Sequence, residues 1–185
     1  MGQPRLSLAS SDFELFGVAQ RFAQERSALD ARWKELQREA HPDRFAAQGA
    51  AAQRMAMQWS VRINEAYQRL KDPLKRAAYL CELAGAPVNA ESNTAMPAQF
   101  LMQQMQWREA LDDATSLNTI DDLQTQVQTA RAQLLAECGR LLDAQADAAG
   151  AVACVRALMF IERFGADLEQ RSEQLESDAR SAVKH

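Results

Sequence analysis

The sequence predicts an all-α protein built from two helical units, and three observations carry that prediction. The 185 residues include only seven glycines and five prolines, few β-branched residues, and abundant Ala, Leu, Gln, Glu and Arg, the composition of helices. Apolar residues recur at three- and four-residue spacing through most of the chain. The stretch Gly85 to Pro97 (GAPVNAESNTAMP) has turn residues and no helical stripe, so it reads as a linker between residues 1 to 84 and a bundle over 98 to 185.

In chain order, Ser11 stands three residues before Glu14, a capping-box spacing that opens a short helix bearing Phe13, Leu15 and Phe16. Ser27 with Asp30 offers a second start, followed by the stripe Leu29, Trp33, Leu36 and Ala40. That helix must stop near Ala40, because Pro42 disfavours helical geometry at His41 and has no amide hydrogen. After Gly49, the residues Ala52, Ala56, Trp59, Ile63, Ala66, Tyr67 and Leu70 trace one face of a long helix. A further short helix restarts at Pro73 and ends before Gly85. Beyond the linker, three helices are expected over about 98 to 114, 119 to 143 and 150 to 176. Thr119 with Asp122 would cap the second, and the tail past residue 176 is expected to fray. Short connections imply an antiparallel three-helix bundle.

Charge divides the halves. Residues 1 to 84 carry 13 Lys and Arg against 10 Asp and Glu, while residues 85 to 185 carry 8 against 15. No basic stripe interleaved with aromatics argues for nucleic acid, and no apolar run is long enough to span a membrane. The opening residues lack the apolar block of a signal peptide, so a cytoplasmic location is expected. Cys81, Cys138 and Cys154, odd in number and far apart along the chain, read as three reduced core thiols, with no metal site and no cofactor implied.

The segment REAHPDRF, Arg38 to Phe45, holds the first candidate site. Lys34 and Arg38 lie opposite the apolar stripe of their helix, so a positive face runs into His41-Pro42-Asp43. Pro42 stiffens a polar tip that suits docking into a partner's cleft. It makes a poor catalytic pair, since no Ser or Cys nucleophile has a claim to be near and the other histidine is His185. The chain is therefore expected not to be an enzyme.

A second candidate site lies on the first bundle helix. With Phe100 set at 0°, Trp107 and Leu111 fall within about 20° of it and supply a core face. Leu101, Met102 and Met105 fall near 100°, 200° and 140°, with Glu109 and Asp113 close by, roughly 180° and 220°. An apolar patch rimmed by acids, rich in adaptable methionine, is either a partner surface or a second packing face.

A short helix, a basic second helix, HPD in the loop and a long third helix ending INEAYQRLKDPLKRAAYL together resemble a J-domain. The order FELFG, HPDRF and FLMQQMQWREALDD resembles the HscB-type J-proteins of iron–sulfur cluster assembly, over about residues 12 to 113. The resemblance implies a co-chaperone that docks on an HscA- or DnaK-class ATPase through His41, Pro42 and Asp43, supported by Lys34, Arg38 and, on the flank, Arg32. It also implies an IscU-type scaffold partner bound by Leu101, Met102, Met105, Glu109, Asp113 and Phe160. Two positions depart from the pattern: Ala40 stands where many J-domains carry an aromatic residue, and Gln106 where relatives carry an acid. A general J-protein for unfolded clients and a helical adaptor without an ATPase partner remain open on the residues alone.

Overall fold

The computed structural model describes residues 6–90 and 94–182, and among these every regular element is helical. His185, residues 91–93 of the expected linker and residues 183–185 of the expected tail lie outside them. Seven α-helices run in order: α1 Asp12–Phe16, α2 Arg26–Glu39, α3 Ala50–Lys71, α4 Pro73–Leu83, α5 Ala98–Asp112, α6 Leu117–Gly139 and α7 Ala148–Ala182. A 3-10 segment, Pro42–Gln48, lies between α2 and α3. The contacts divide the chain between Leu80 and Cys81, inside α4. Cys81 to Ala84, placed by the sequence with the first unit, fall to the second, where the Cys81 thiol meets the Ala148 carbonyl at 3.7 Å.

In the first unit α2 and α3 form an antiparallel hairpin. Gln37 meets Ser60, Trp33 donates to Asn64 at 2.9 Å, and Tyr67 donates to Asp30 at 2.7 Å, so contacts climb α3 as they descend α2. The Trp33 and Tyr67 rings stack at 4.9 Å. Leu29, Leu36, Ile63, Ala66 and Leu70 are buried as the two stripes require, together with Phe13, Leu15 and Phe16 of α1. The capping box at Ser11 forms in both directions. The cap expected at Ser27 does not form: α2 begins at Arg26 with Glu25 before it, and the Arg26–Asp30 pair at 2.7 Å spans its first turn instead.

The second unit closes as an up-down-up bundle. Phe100 packs edge-on against Phe160, and Trp107 stacks on Phe164, so α5 and α7 run the same way with α6 between them in sequence. Ile120, Leu123 and Val127 bring α6 into this core. The cap expected at Thr119 lies three residues earlier, where the Ser116 hydroxyl accepts the Thr119 amide hydrogen at 3.3 Å. The α6 pattern also ends early: a wide turn over Arg140–Ala144 follows, and Asp147 caps α7 by accepting from Gly150 N–H at 2.8 Å. A Cβ at Gly150 would displace that carboxylate from its capping position. The fraying expected past residue 176 is corrected as well, since α7 continues as an exposed helix to Ala182.

Candidate functional site

The polar tip is built where α2 runs out. Glu39 is its last helical residue, and His41 turns to φ −64°, ψ 126°, the extended geometry that a following proline demands. Pro42 then occupies the first position of the 3-10 segment, where a missing amide hydrogen costs nothing. The His41 Nδ1 atom accepts the Asp43 amide hydrogen at 3.3 Å, and Arg44 N–H donates to the His41 carbonyl at 3.0 Å. These bonds hold the turn while leaving both side chains in solvent, His41 at 59% and Asp43 at 90% side-chain exposure.

Lys34 and Arg38 are exposed on the turn that leads into the tip, and Arg38 Nε donates back to the Lys34 carbonyl at 3.4 Å. Arg32 is half-buried and engaged with Glu35 at 2.6 Å, so its charge is already matched within α2. Beside the tip opens an apolar groove of about 420 Å³, walled by Leu36, Ala40, Phe45, Met55 and Trp59.

On α5 the two faces separate as the wheel predicts. Phe100 and Trp107 are buried, whereas Leu101, Met102 and Met105 are 44%, 68% and 72% exposed. Glu109 and Asp113 are exposed beside them, and so is Gln106. Phe160 is not itself exposed, although it lines a cavity with Leu101, Gln104 and Arg108. At 3% exposure it is core, edge-on to Phe100, stacked on Phe164 at 5.6 Å and roofed by the Arg108 guanidinium at 5.2 Å.

A co-chaperone protein HscB homolog of Burkholderia mallei is 49% identical over 174 residues, which span 92% of this chain and 99% of that protein. The chain belongs to the HscB co-chaperone family. A family model described as the HSCB C-terminal oligomerisation domain matches residues 96–182. The solved chaperone HscB from Vibrio cholerae superposes with a TM-score of 0.77 at 35% identity, covering 90% of this chain and 99% of its own. Human co-chaperone protein HscB superposes at 0.82 over 88% of this chain and 82% of its own; at 23% identity that likeness speaks to the fold alone. The all-α architecture is thus that of HscB proteins, a J-domain followed by a C-terminal helical bundle, and membership carries a co-chaperone role in iron–sulfur cluster assembly.

Three features of this HscB chain had no visible signal in the sequence. Asp12 is fully buried, with Arg62 and Arg69 at 2.7 and 3.0 Å from its oxygens and the Tyr79 hydroxyl accepting its amide hydrogen at 3.1 Å. The thiols that sit far apart in sequence come together in the second unit. There the bond with Cys154 and burial push Cys138 up, the same bond lowers Cys154, and burial takes Cys81 to about 11. Arg44, a surface cation in the sequence, reaches back with Nη1 to the Arg38 carbonyl at 3.2 Å. Among the described residues no group of three or more His, Cys, Asp or Glu side chains is placed to hold a metal ion, and no helix is long and apolar enough to cross a membrane.

Proposed function

We propose that this chain is a cytoplasmic adaptor that stimulates the ATPase of an HscA- or DnaK-class chaperone and delivers an IscU-type scaffold protein to it. Residues 1–84 are its chaperone-facing part, residues 85–97 the connection and residues 98–185 its scaffold-facing part. The observation that carries this reading is the pairing of two exposed surfaces of opposite character on separate units. His41 and Asp43 stand out from a braced turn beside the cations of α2, and the Leu101, Met102 and Met105 patch stands out from α5 with Glu109 and Asp113 on its rim.

Their chemistry suits the two tasks. A rigid tip with a carboxylate at its end incurs little ordering cost on docking, and flanking cations raise the encounter rate with an acidic surface. The methionine-rich patch supplies apolar area that burial on a partner would stabilise, about 25 cal/mol per Å² removed from water, while the acids select the orientation. The role is binding and orientation, without catalysis by this chain.

Steady-state ATP hydrolysis by the partner chaperone tests it, with and without scaffold, adding the wild-type chain or Asp43→Asn. The expected result is stimulation that Asp43→Asn abolishes and that scaffold increases further. Stimulation indifferent to Asp43 would demote the tip to a loop, and an equal response to any unfolded polypeptide would favour a general J-protein.

A further inference from the structure

We infer that Arg44 is a positioning residue for the docking tip, acting through the end of α2; the functional half of this inference rests on the chaperone-docking reading above. The last carbonyls of a helix have no amide partners within it, and the helix end carries partial negative charge. In α2 the Leu36 carbonyl is taken by Ala40 N–H at 2.9 Å, leaving the Arg38 carbonyl to look outside the helix. Arg44 Nη1 fills that place at 3.2 Å, and its backbone N–H meanwhile bonds the His41 carbonyl at 3.0 Å.

One residue therefore ties the segment to itself and to the helix, with His41, Pro42 and Asp43 enclosed in the ring that it closes. Inside the ring the Asp43 N–H bonds His41 Nδ1 at 3.3 Å, and the Asp43 carboxylate stands 3.6 Å from the same nitrogen. Without the Arg44 bridge the turn keeps its proline but loses its anchor to α2. The segment still packs on α3 through Phe45, but the direction of Asp43 relative to Lys34 and Arg38 is held less firmly, and that part of the order must be regained at each encounter.

The test uses the full chain as wild type, Arg44→Ala, Arg44→Lys and Asp43→Asn. In the free protein, water exchange at the Asp43 and Arg44 amides is measured by NMR. In the ATPase assay, half-saturating concentration and maximal stimulation are measured separately. Arg44→Ala is expected to speed exchange at those two amides, leave the thermal midpoint within a degree or so, and raise half-saturation about three- to tenfold, the span of one ordinary net hydrogen bond. Maximal stimulation stays the same, because the tip still reaches its bound form.

Arg44→Lys, which keeps a cation able to donate to the carbonyl, restores both exchange and half-saturation. Unchanged exchange in Arg44→Ala overturns the inference, even if stimulation weakens, because that pattern means direct contact between Arg44 and the chaperone. Faster exchange with unchanged half-saturation overturns it too, as does failure of Arg44→Lys to slow exchange. Asp43→Asn keeps the two readings apart. If it leaves stimulation intact, the chaperone reading fails, while exchange in the free protein still decides whether Arg44 holds the tip.

Discussion

Asp12 is a buried charge of the first unit, and a single change there strands its partners. Its carboxylate is fully buried and faces two guanidinium groups, one of them nearly buried and the other, Arg69, with a side chain 36% exposed. Removing one partner of a buried pair leaves its counter-charge stranded, about 3–5 kcal/mol where that charge is enclosed. Since Arg69 can turn toward water, Asp12→Asn is expected to lose about 2–3 kcal/mol in urea unfolding. A loss below about 0.5 kcal/mol would mean the pair contributes nothing net. In the sequence Asp12 is an ordinary first-turn acid, because the partners that bury it, Arg62, Arg69 and Tyr79, are 50 or more positions away. Cys81 allows a pH prediction with a definite sign. Its folded value of about 11 lies above the ordinary ~8.5 of a free thiol, so the folded state keeps a proton that the unfolded chain gives up. Its contribution is whole below pH ~8.5 and declines as pH rises toward 11. Cys81→Ala should flatten the alkaline fall in stability over that window, and equal slopes for the two proteins would refute it.

At the scale of elements, α5 and α7 show what helical spacing can and cannot reveal. The two faces of α5 were legible because the helix touches its bundle on one side only, so the angle of Phe100 and Trp107 settles which side is wet. α7 is harder to read, for both other bundle helices pack on it. Phe160 sits near charged neighbours, and a flanking arginine ordinarily marks solvent. Yet Arg156 is itself 8% exposed and donates to the Val88 and Ala95 carbonyls, a role in bracing the connecting chain that its charge conceals. Helix starts failed for a related reason: Ser27 and Thr119 had the right spacing, but Glu25 and Ser116 precede them and an earlier turn could form. The two kinds of position predict opposite mutational profiles. Phe160→Ala is expected to cost about 3–5 kcal/mol in stability. Leu101→Ala with Met105→Ala should stay within about 0.5 kcal/mol of wild type while weakening scaffold binding severalfold. Calorimetric titration beside urea unfolding separates these effects, and a destabilised double variant with unchanged affinity would make the α5 patch a packing face after all.

For the whole molecule the consequence of two surfaces on two units is that their losses should separate and their actions should multiply. A chain that holds the scaffold while docked on the chaperone converts the scaffold's encounter with the chaperone into a local event, raising its effective concentration without any new contact. Stimulation by scaffold then depends on the α5 patch, although the patch takes no part in stimulation without scaffold. Leu101→Ala with Met105→Ala is therefore expected to keep the scaffold-free ATPase stimulation of the wild-type chain and to lose most of the further increase that scaffold brings. Asp43→Asn should do the reverse, binding scaffold with wild-type affinity in a titration while giving no stimulation with or without it. Mixing the two variants in one assay sharpens the point, because each supplies the surface the other lacks but on a different molecule. If delivery requires both surfaces on one chain, the mixture restores only the scaffold-free rate. Recovery of the full scaffold-dependent rate by the mixture would show that the surfaces act independently, and the adaptor mechanism would have to be abandoned in favour of two unlinked binding events.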